Sequence, residues 1–234
     1  MRDWWHWSPA EDSDPRSFGI VGVGRFGSAV CRQLMQSGAD VLAVDRSPKA
    51  IEELRQLEPS IEARVLDCTD EESLREAGIL DMDTVVVAIS EPIEASITAT
   101  LIAKDSEGTR VRRVIARATS DLHEKMLKRV GADRVVFPSR MQGERLGLEL
   151  VRPNLMERLE LDELNSIEEI KVPERFVGLS LRDLNLRKNY RVNVLAAGPA
   201  ADLMVNPPAT HVLMEGHVLV VMGLTDDLQN LPRT

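Results

Sequence analysis

The stretch FGIVGVGRFGSAV, Phe18 to Val30, decides how the rest of the chain is read. An apolar strand runs into glycines at 22, 24 and 27, with Arg25 between the second and third, and a helix then opens. Gly22 permits the tight turn after the strand, Gly24 lets backbone approach a diphosphate closely, and Gly27 lets the helix pack on the sheet. The helix N-terminus offers free N–H groups and partial positive charge to the phosphates. Asp45 ends the next strand, VLAVD, 18 residues after Gly27. An acid there accepts hydrogen bonds from both ribose hydroxyls and repels a 2′-phosphate, which predicts an unphosphorylated adenosine ribose.

Working outward, the pattern alternates. Strands are expected at 18–23, 40–44, 63–66, 84–89, 113–116 and 134–137, with helices at 26–37, 48–57, 71–77, 93–105, 121–130 and 140–151. Apolar strands separated by amphipathic helices imply right-handed crossovers and a parallel sheet covered on both faces. The expected class is α/β, a doubly wound sheet. After Pro153, MERLELDELN reads as a polar helical connector, and from SIEEIKV the grammar changes to short strands and turns, a small α+β lobe. The expected division is a disordered tail over 1–16, a nucleotide-binding domain over 17–152, and connector plus C-terminal lobe over 153–234. A lobe of about 70 residues needs a partner surface or a dimer to bury enough apolar area.

Composition removes several function classes. With 29 Lys and Arg against 38 Asp and Glu, the formal net charge is -9, the wrong sign for neutralising a nucleic-acid backbone. Cys31 and Cys68 have no metal-ligand or C-x-x-C spacing, which suggests a reducing cytosol. The longest apolar runs, TVVVAI and HVLVVMGL, have strand length, far short of the roughly 20 residues that cross a membrane. The N-terminus has neither the basic start nor the apolar stretch of a signal peptide. Trp4, Trp5 and Trp7 all fall in the tail, where the alternative to disorder is an aromatic anchor for a partner or lipid interface.

Further candidates gather where strands end. Asp67 and Cys68 close the third strand, where an adenine base would lie; the other reading of Asp67 is a helix cap, a role Asp70 or Thr69 could fill. Arg117 ends the fifth strand and either reaches the phosphates or pairs with a surface acid. Phe26 in the loop, Arg46 after the ribose acid, and Ala88 and Ile89 at the end of the fourth strand complete the set. No catalytic residue and no metal ligand is expected. Of the four histidines, His6 is in the tail, His123 reads as solvent-exposed on DLHEKML, and His211 and His217 lie in the small lobe. None stands beside a Cys, Ser or Asp in a catalytic spacing. The pattern favours sensing a nucleotide over reacting with it.

FGIVGVGRFGSAV, VLAVD, VLDCTDEESLREAGI, TVVVAI, IARA and KRVGADRVVFPSRMQG resemble the RCK family, regulators of potassium conductance, and are similar to the cytosolic subunits of Ktr and Trk potassium-uptake systems. FVGLSLRDLNLR, VNVLAA and NPPATHVLMEGHVLVVMG extend the resemblance to residue 230 or so. It implies a cytoplasmic protein, peripheral on the inner face of the membrane, assembled as a homo-oligomeric ring of eight beneath an integral-membrane potassium-translocating subunit. ATP and ADP would compete for the glycine-loop site, with ATP favouring conduction. Carried over, Gly22, Gly24, Arg25, Gly27 and Arg117 serve the phosphates, Asp45 the ribose, and Asp67 and Cys68 the adenine; the helix 140–151 is the crossover exchanged between neighbours. Ser139 departs from the family, which often has Glu after the Pro of FP to help bind a divalent cation. His211, His217 and the AGP after VLA also depart, and cyclic-dinucleotide binding is not carried over. The rival readings are an NAD(H)-binding redox sensor and a small NAD-dependent reductase on the same fold.

Overall fold

A computed structural model describes residues 17–232. The tail of residues 1–16, with its three tryptophans, lies outside the described residues. The chain divides into two compact units, one ending at Met141 and the other beginning at Gln142.

The first unit runs β1 (Ser17–Val21), α1 (Arg25–Gln36), β2 (Asp40–Asp45), α2 (Pro48–Leu57), β3 (Glu62–Val65), α3 (Glu71–Glu76), β4 (Thr84–Val87), α4 (Ile93–Asp105), β5 (Arg113–Arg117), α5 (Asp121–Arg129), β6 (Arg134–Val136) and the start of α6 (Pro138–Val151). Its six strands lie in the order β3-β2-β1-β4-β5-β6, all parallel. Successive strand residues serve opposite faces. Val21, Val85 and Val87 join one apolar cluster with Ala99 of α4 and Leu127 of α5; Ile20, Ala43 and Val86 join another with Ile51 and Leu54 of α2. Burial on both faces is why TVVV reads as a continuous apolar run instead of alternating. The chain leaves the sheet edge at β3 and returns beside β1 as β4, so β1 and β4 form the switch point outside which ligands bind in such sheets.

The second unit holds the rest of α6, then β7 (Leu155–Glu160), β8 (Asn165–Lys171), α7 (Leu181–Leu184), α8 (Leu186–Tyr190), β9 (Asn193–Gly198), β10 (Met204–Val205), β11 (Val218–Leu224) and α9 (Thr225–Gln229). Its five strands lie in the order β10-β9-β11-β8-β7, all antiparallel. The expected helical connector is instead the first strand of this sheet. MERLE is rich in helix formers, but β7 pairs with β8 through a turn that Asp162 organises by accepting N–H groups of Leu164 and Asn165 at 2.8 Å each. Such a side-chain-closed turn aligns the two strands, and pairing overrides propensity. Leu155, Ile170, Phe176, Leu213, Leu219, Val221 and Leu228 form the core beneath it.

Polar contacts are also buried inside that lobe. Arg152, just past α6, makes two parallel hydrogen bonds to Glu168 of β8, at 2.7 and 2.8 Å, and a third at 3.3 Å to the carbonyl of Leu228 in α9. Asn154 reaches the Pro232 carbonyl at 3.0 Å. The end of α6, the sheet and the C-terminal turn are thus tied at one point.

Candidate functional site

The three loop glycines separate by cause. Gly22 has φ +94°, and a Cβ there would stand 3.0 Å from the Ile89 amide nitrogen. A Cβ on Gly27 would lie 2.0 Å from the Gly22 carbonyl oxygen, so α1 could not pack where it does. Gly24 has an ordinary φ of −62°, and nothing of the protein lies within 4 Å of its would-be Cβ. The space over Gly24 is open to a ligand. Ala88 and Ile89 form the floor of the turn: Ala88 N–H donates to the Val21 carbonyl at 2.8 Å, and Ile89 abuts Gly22.

Helix termini show the same asymmetry. Ser47, Asp70 and Ser120 cap α2, α3 and α5 with side-chain oxygens, whereas Gly24 before α1 and Pro92 before α4 supply none. The two uncapped helices follow β1 and β4, the strands of the switch point. Their first N–H groups are those that a phosphate or carboxylate would satisfy.

Asp45 is fixed at the end of β2. One carboxylate oxygen accepts the Val23 N–H and the other the Ser47 N–H, both at 2.8 Å. Each oxygen keeps a second acceptor site, enough for two ribose hydroxyls. The same side chain therefore braces the glycine loop and the N-terminus of α2. Beside it, Arg46, Glu91, Pro92, Ile93 and Glu94 line a cleft of about 560 Å³.

At the end of β3, Asp70 caps α3 through the Ser73 N–H at 2.9 Å, so the cap reading of Asp67 does not hold. One oxygen of Asp67 accepts Thr69 N–H at 2.9 Å and Thr69 O–H at 2.7 Å, and these bonds hold its pKa below the usual carboxylate range. Asp67 is exposed, and its second oxygen is left as an acceptor. The buried Cys68 thiol is pushed up to about 12, chiefly by burial and further by the charges of Asp45 and Asp67. It stays neutral near pH 7.

Two cations stand at the loop. Arg25 is the first residue of α1, exposed and without an ion pair among the described residues. Arg117, at the end of β5, lies with its guanidinium carbon 5.6 Å from the centre of the Phe26 ring, and its Nε is buried without a hydrogen-bond partner. The alternative of a surface acid for Arg117 finds no support among the described residues.

His123 corrects the expectation of an exposed side chain. It is 1% exposed, and its Nδ1 accepts the Thr119 N–H at 3.3 Å. Leu122 and Met126, on another face of α5, are 63% and 39% exposed. The available signal was the four-residue spacing of His123 and Leu127, the two residues of α5 that are buried. The start of α4 is uncapped because Pro92 has no side-chain acceptor, an absence that leaves no motif in the sequence.

Residues 18–138 match the TrkA-N domain and residues 167–233 the TrkA-C domain. The chain is 34% identical over 218 residues to the Ktr system potassium uptake protein C of Bacillus subtilis (strain 168), covering 93% of this chain and 96% of that one. It is 34% identical over 215 residues to the Ktr system potassium uptake protein A of Vibrio alginolyticus, covering 92% and 96%. A crystal structure of the GsuK RCK domain aligns with a TM-score of 0.54 at 24% identity, over 94% of this chain and 46% of that chain, so the present chain spans less than half of it. Among the described residues no helix is long and apolar enough to cross a membrane. A doubly wound TrkA-N unit followed by a TrkA-C lobe, with close relatives throughout its length in the Ktr systems, makes this chain a member of the RCK family of regulatory subunits of Ktr and Trk potassium uptake systems.

Proposed function

We propose that the protein is a nucleotide-sensing regulatory subunit, cytoplasmic and peripheral to the membrane, that gates an integral-membrane potassium-translocating partner. ATP and ADP compete for the glycine-loop site. The observation that carries this reading is the convergence, at the β1–β4 switch point, of two uncapped helix N-termini and two arginines without an acidic partner among the described residues. Although Glu91 and Glu94 also line the cleft, these donors at the loop are more than a diphosphate held by backbone amides needs and suit a terminal phosphate. Asp45 takes the ribose, and Asp67 accepts the exocyclic amine of adenine while Cys68 lies against the ring.

A dinucleotide is the second reading. The six strands supply both halves of a dinucleotide fold, and a related structure is described as the GsuK channel bound to NAD. Arg117, 5.6 Å from the centre of the Phe26 ring, adds a cation to the loop that suits a terminal phosphate better than a neutral nicotinamide, and this supports the mononucleotide reading. Assembly as an eight-membered ring is part of the same proposal. The bare apolar side chains of the second unit, among them Leu164, Val205 and Met214, suit coverage by a second copy, as do Leu146 and Leu150 of α6.

Mass-spectrometric identification of the nucleotide extracted from freshly purified protein tests the reading. ATP or ADP, near one per chain, is the expected result; NAD(H) would transfer the site to the redox-sensor reading.

A further inference from the structure

The segment that carries Arg117 is held by a residue outside the nucleotide site. Thr119 N–H donates to His123 Nδ1 at 3.3 Å, and the Thr119 hydroxyl lies 3.2 Å from the same nitrogen. His123 N–H in turn bonds to the Ser120 side chain at 3.2 Å, closing the turn between β5 and α5. A backbone N–H can only donate, so Nδ1 is the acceptor and the ring's proton sits on Nε2. That Nε2 is buried with no hydrogen-bond partner.

We propose that His123, in this neutral tautomer, is the positioning residue for Arg117: by accepting the Thr119 N–H it fixes the turn that holds the guanidinium over Phe26 and toward the phosphates. The inference rests on the nucleotide-sensing reading for its functional consequence. Arg117 itself has no side-chain hydrogen bond at Nε, so its place depends on the Phe26 ring and on the backbone it springs from. Two residues on, the Thr119–His123 contact anchors that backbone.

Protonation undoes the contact. A proton on Nδ1 would set N–H against N–H, and Thr119 would lose its acceptor. Burial lowers the His123 pKa below its ordinary value and is the sole cause of the shift. The charged groups of the surrounding elements are Arg113 and Arg117 on β5; Asp121, Glu124, Lys125, Lys128 and Arg129 on α5 itself, with Glu124 paired to Lys128 at 2.8 Å and Asp121 engaged by Arg140 of α6; and Lys104 of α4 paired with Asp133. The neutral form therefore prevails above about pH 6.5, and the anchored turn is lost as pH falls through the lowered value.

The test uses the full chain in its native assembly, with His123→Asn, whose amide oxygen can take the place of Nδ1 but does not titrate, and His123→Leu, which removes the acceptor. Hydrogen exchange of the segment 117–120 is followed without nucleotide, and ATP affinity is titrated from about pH 8 to about pH 5. His123→Leu should accelerate exchange in that segment and weaken ATP about tenfold near pH 8, while His123→Asn restores both. ATP protonates in the same range, so the readout is the difference between variants: wild type should lose about tenfold more affinity in acid than His123→Asn. Wild-type exchange in His123→Leu, or identical acid profiles for wild type and His123→Asn, would overturn the proposal. If His123→Leu does not fold, the wild-type and Asn profiles decide alone. If wild type binds no adenine nucleotide, the sensing reading fails, and the exchange experiment still decides whether His123 positions the turn.

Discussion

At the scale of single residues, Asp45 and Arg25 do different work in the same loop. Asp45 bonds Val23 and Ser47 amides and retains acceptors for the ribose, so Asp45→Ala should weaken every adenine nucleotide, with each charged hydrogen bond worth roughly 1.5–3 kcal/mol. Calorimetry with ATP and ADP checks this, and unchanged affinity would remove the ribose site. Arg25 has no ion-pair partner among the described residues, and its planar fork can make two charge-assisted bonds to a terminal phosphate that ADP lacks. Arg25→Ala should cost ATP roughly 10- to 150-fold and ADP much less. An unchanged ATP-to-ADP ratio would mean that the loop does not read the third phosphate. Gly27→Ala is a fold test: its Cβ would fall 2.0 Å from the Gly22 carbonyl, and the overpacking should destabilise the first unit by about 1–3 kcal/mol in a denaturant melt.

At the scale of elements, the buried Arg152–Glu168 pair makes a sharp prediction. Arg152 is 3% exposed and Glu168 0% exposed, and Arg158 lies 4.0 Å from the same carboxylate, so removing Glu168 strands buried guanidinium charge and should cost about 3–5 kcal/mol, whereas removing Arg152 leaves Glu168 with Arg158 and should cost less. Replacing both, as Arg152→Met with Glu168→Leu, should be far milder than the worse single change in thermal unfolding. Additive losses would show that the ion pair is not the unit of stability. The alternation of strands and helices in the first unit was legible because strands buried on both faces announce themselves as apolar runs. The glycine loop and Asp45 were legible because their spacing is dictated by a strand, a turn and a helix in fixed order. β7 was not legible, since its residues favour a helix and only pairing with β8 makes them a strand. His123 was hidden by Leu122 and Met126, which put more apolar character on the outer face of α5 than on the inner one. Asp67 was half legible: an acid at a strand end was expected, but whether it capped a helix depended on Asp70 taking that role.

At the scale of the whole molecule, the apolar side chains left bare on α6 and on the second unit should be covered by other copies of the chain. Light scattering at micromolar concentration with ATP should return a multiple of the 26.1 kDa chain mass, a ring of eight in the proposed assembly. A mass of one chain would contradict it. The central claim, that an adenine mononucleotide sensed by its last phosphate regulates a potassium-translocating partner, stands or falls first on what the site binds. Isothermal titration of the nucleotide-free protein with ATP, ADP, NADH and NADPH is the most direct measurement. The account predicts one site per chain, ATP tighter than ADP, and both tighter than NADPH by at least about tenfold, or roughly 1.4 kcal/mol. NADH binding more tightly than ATP, or NADPH binding as well as ADP, would contradict it.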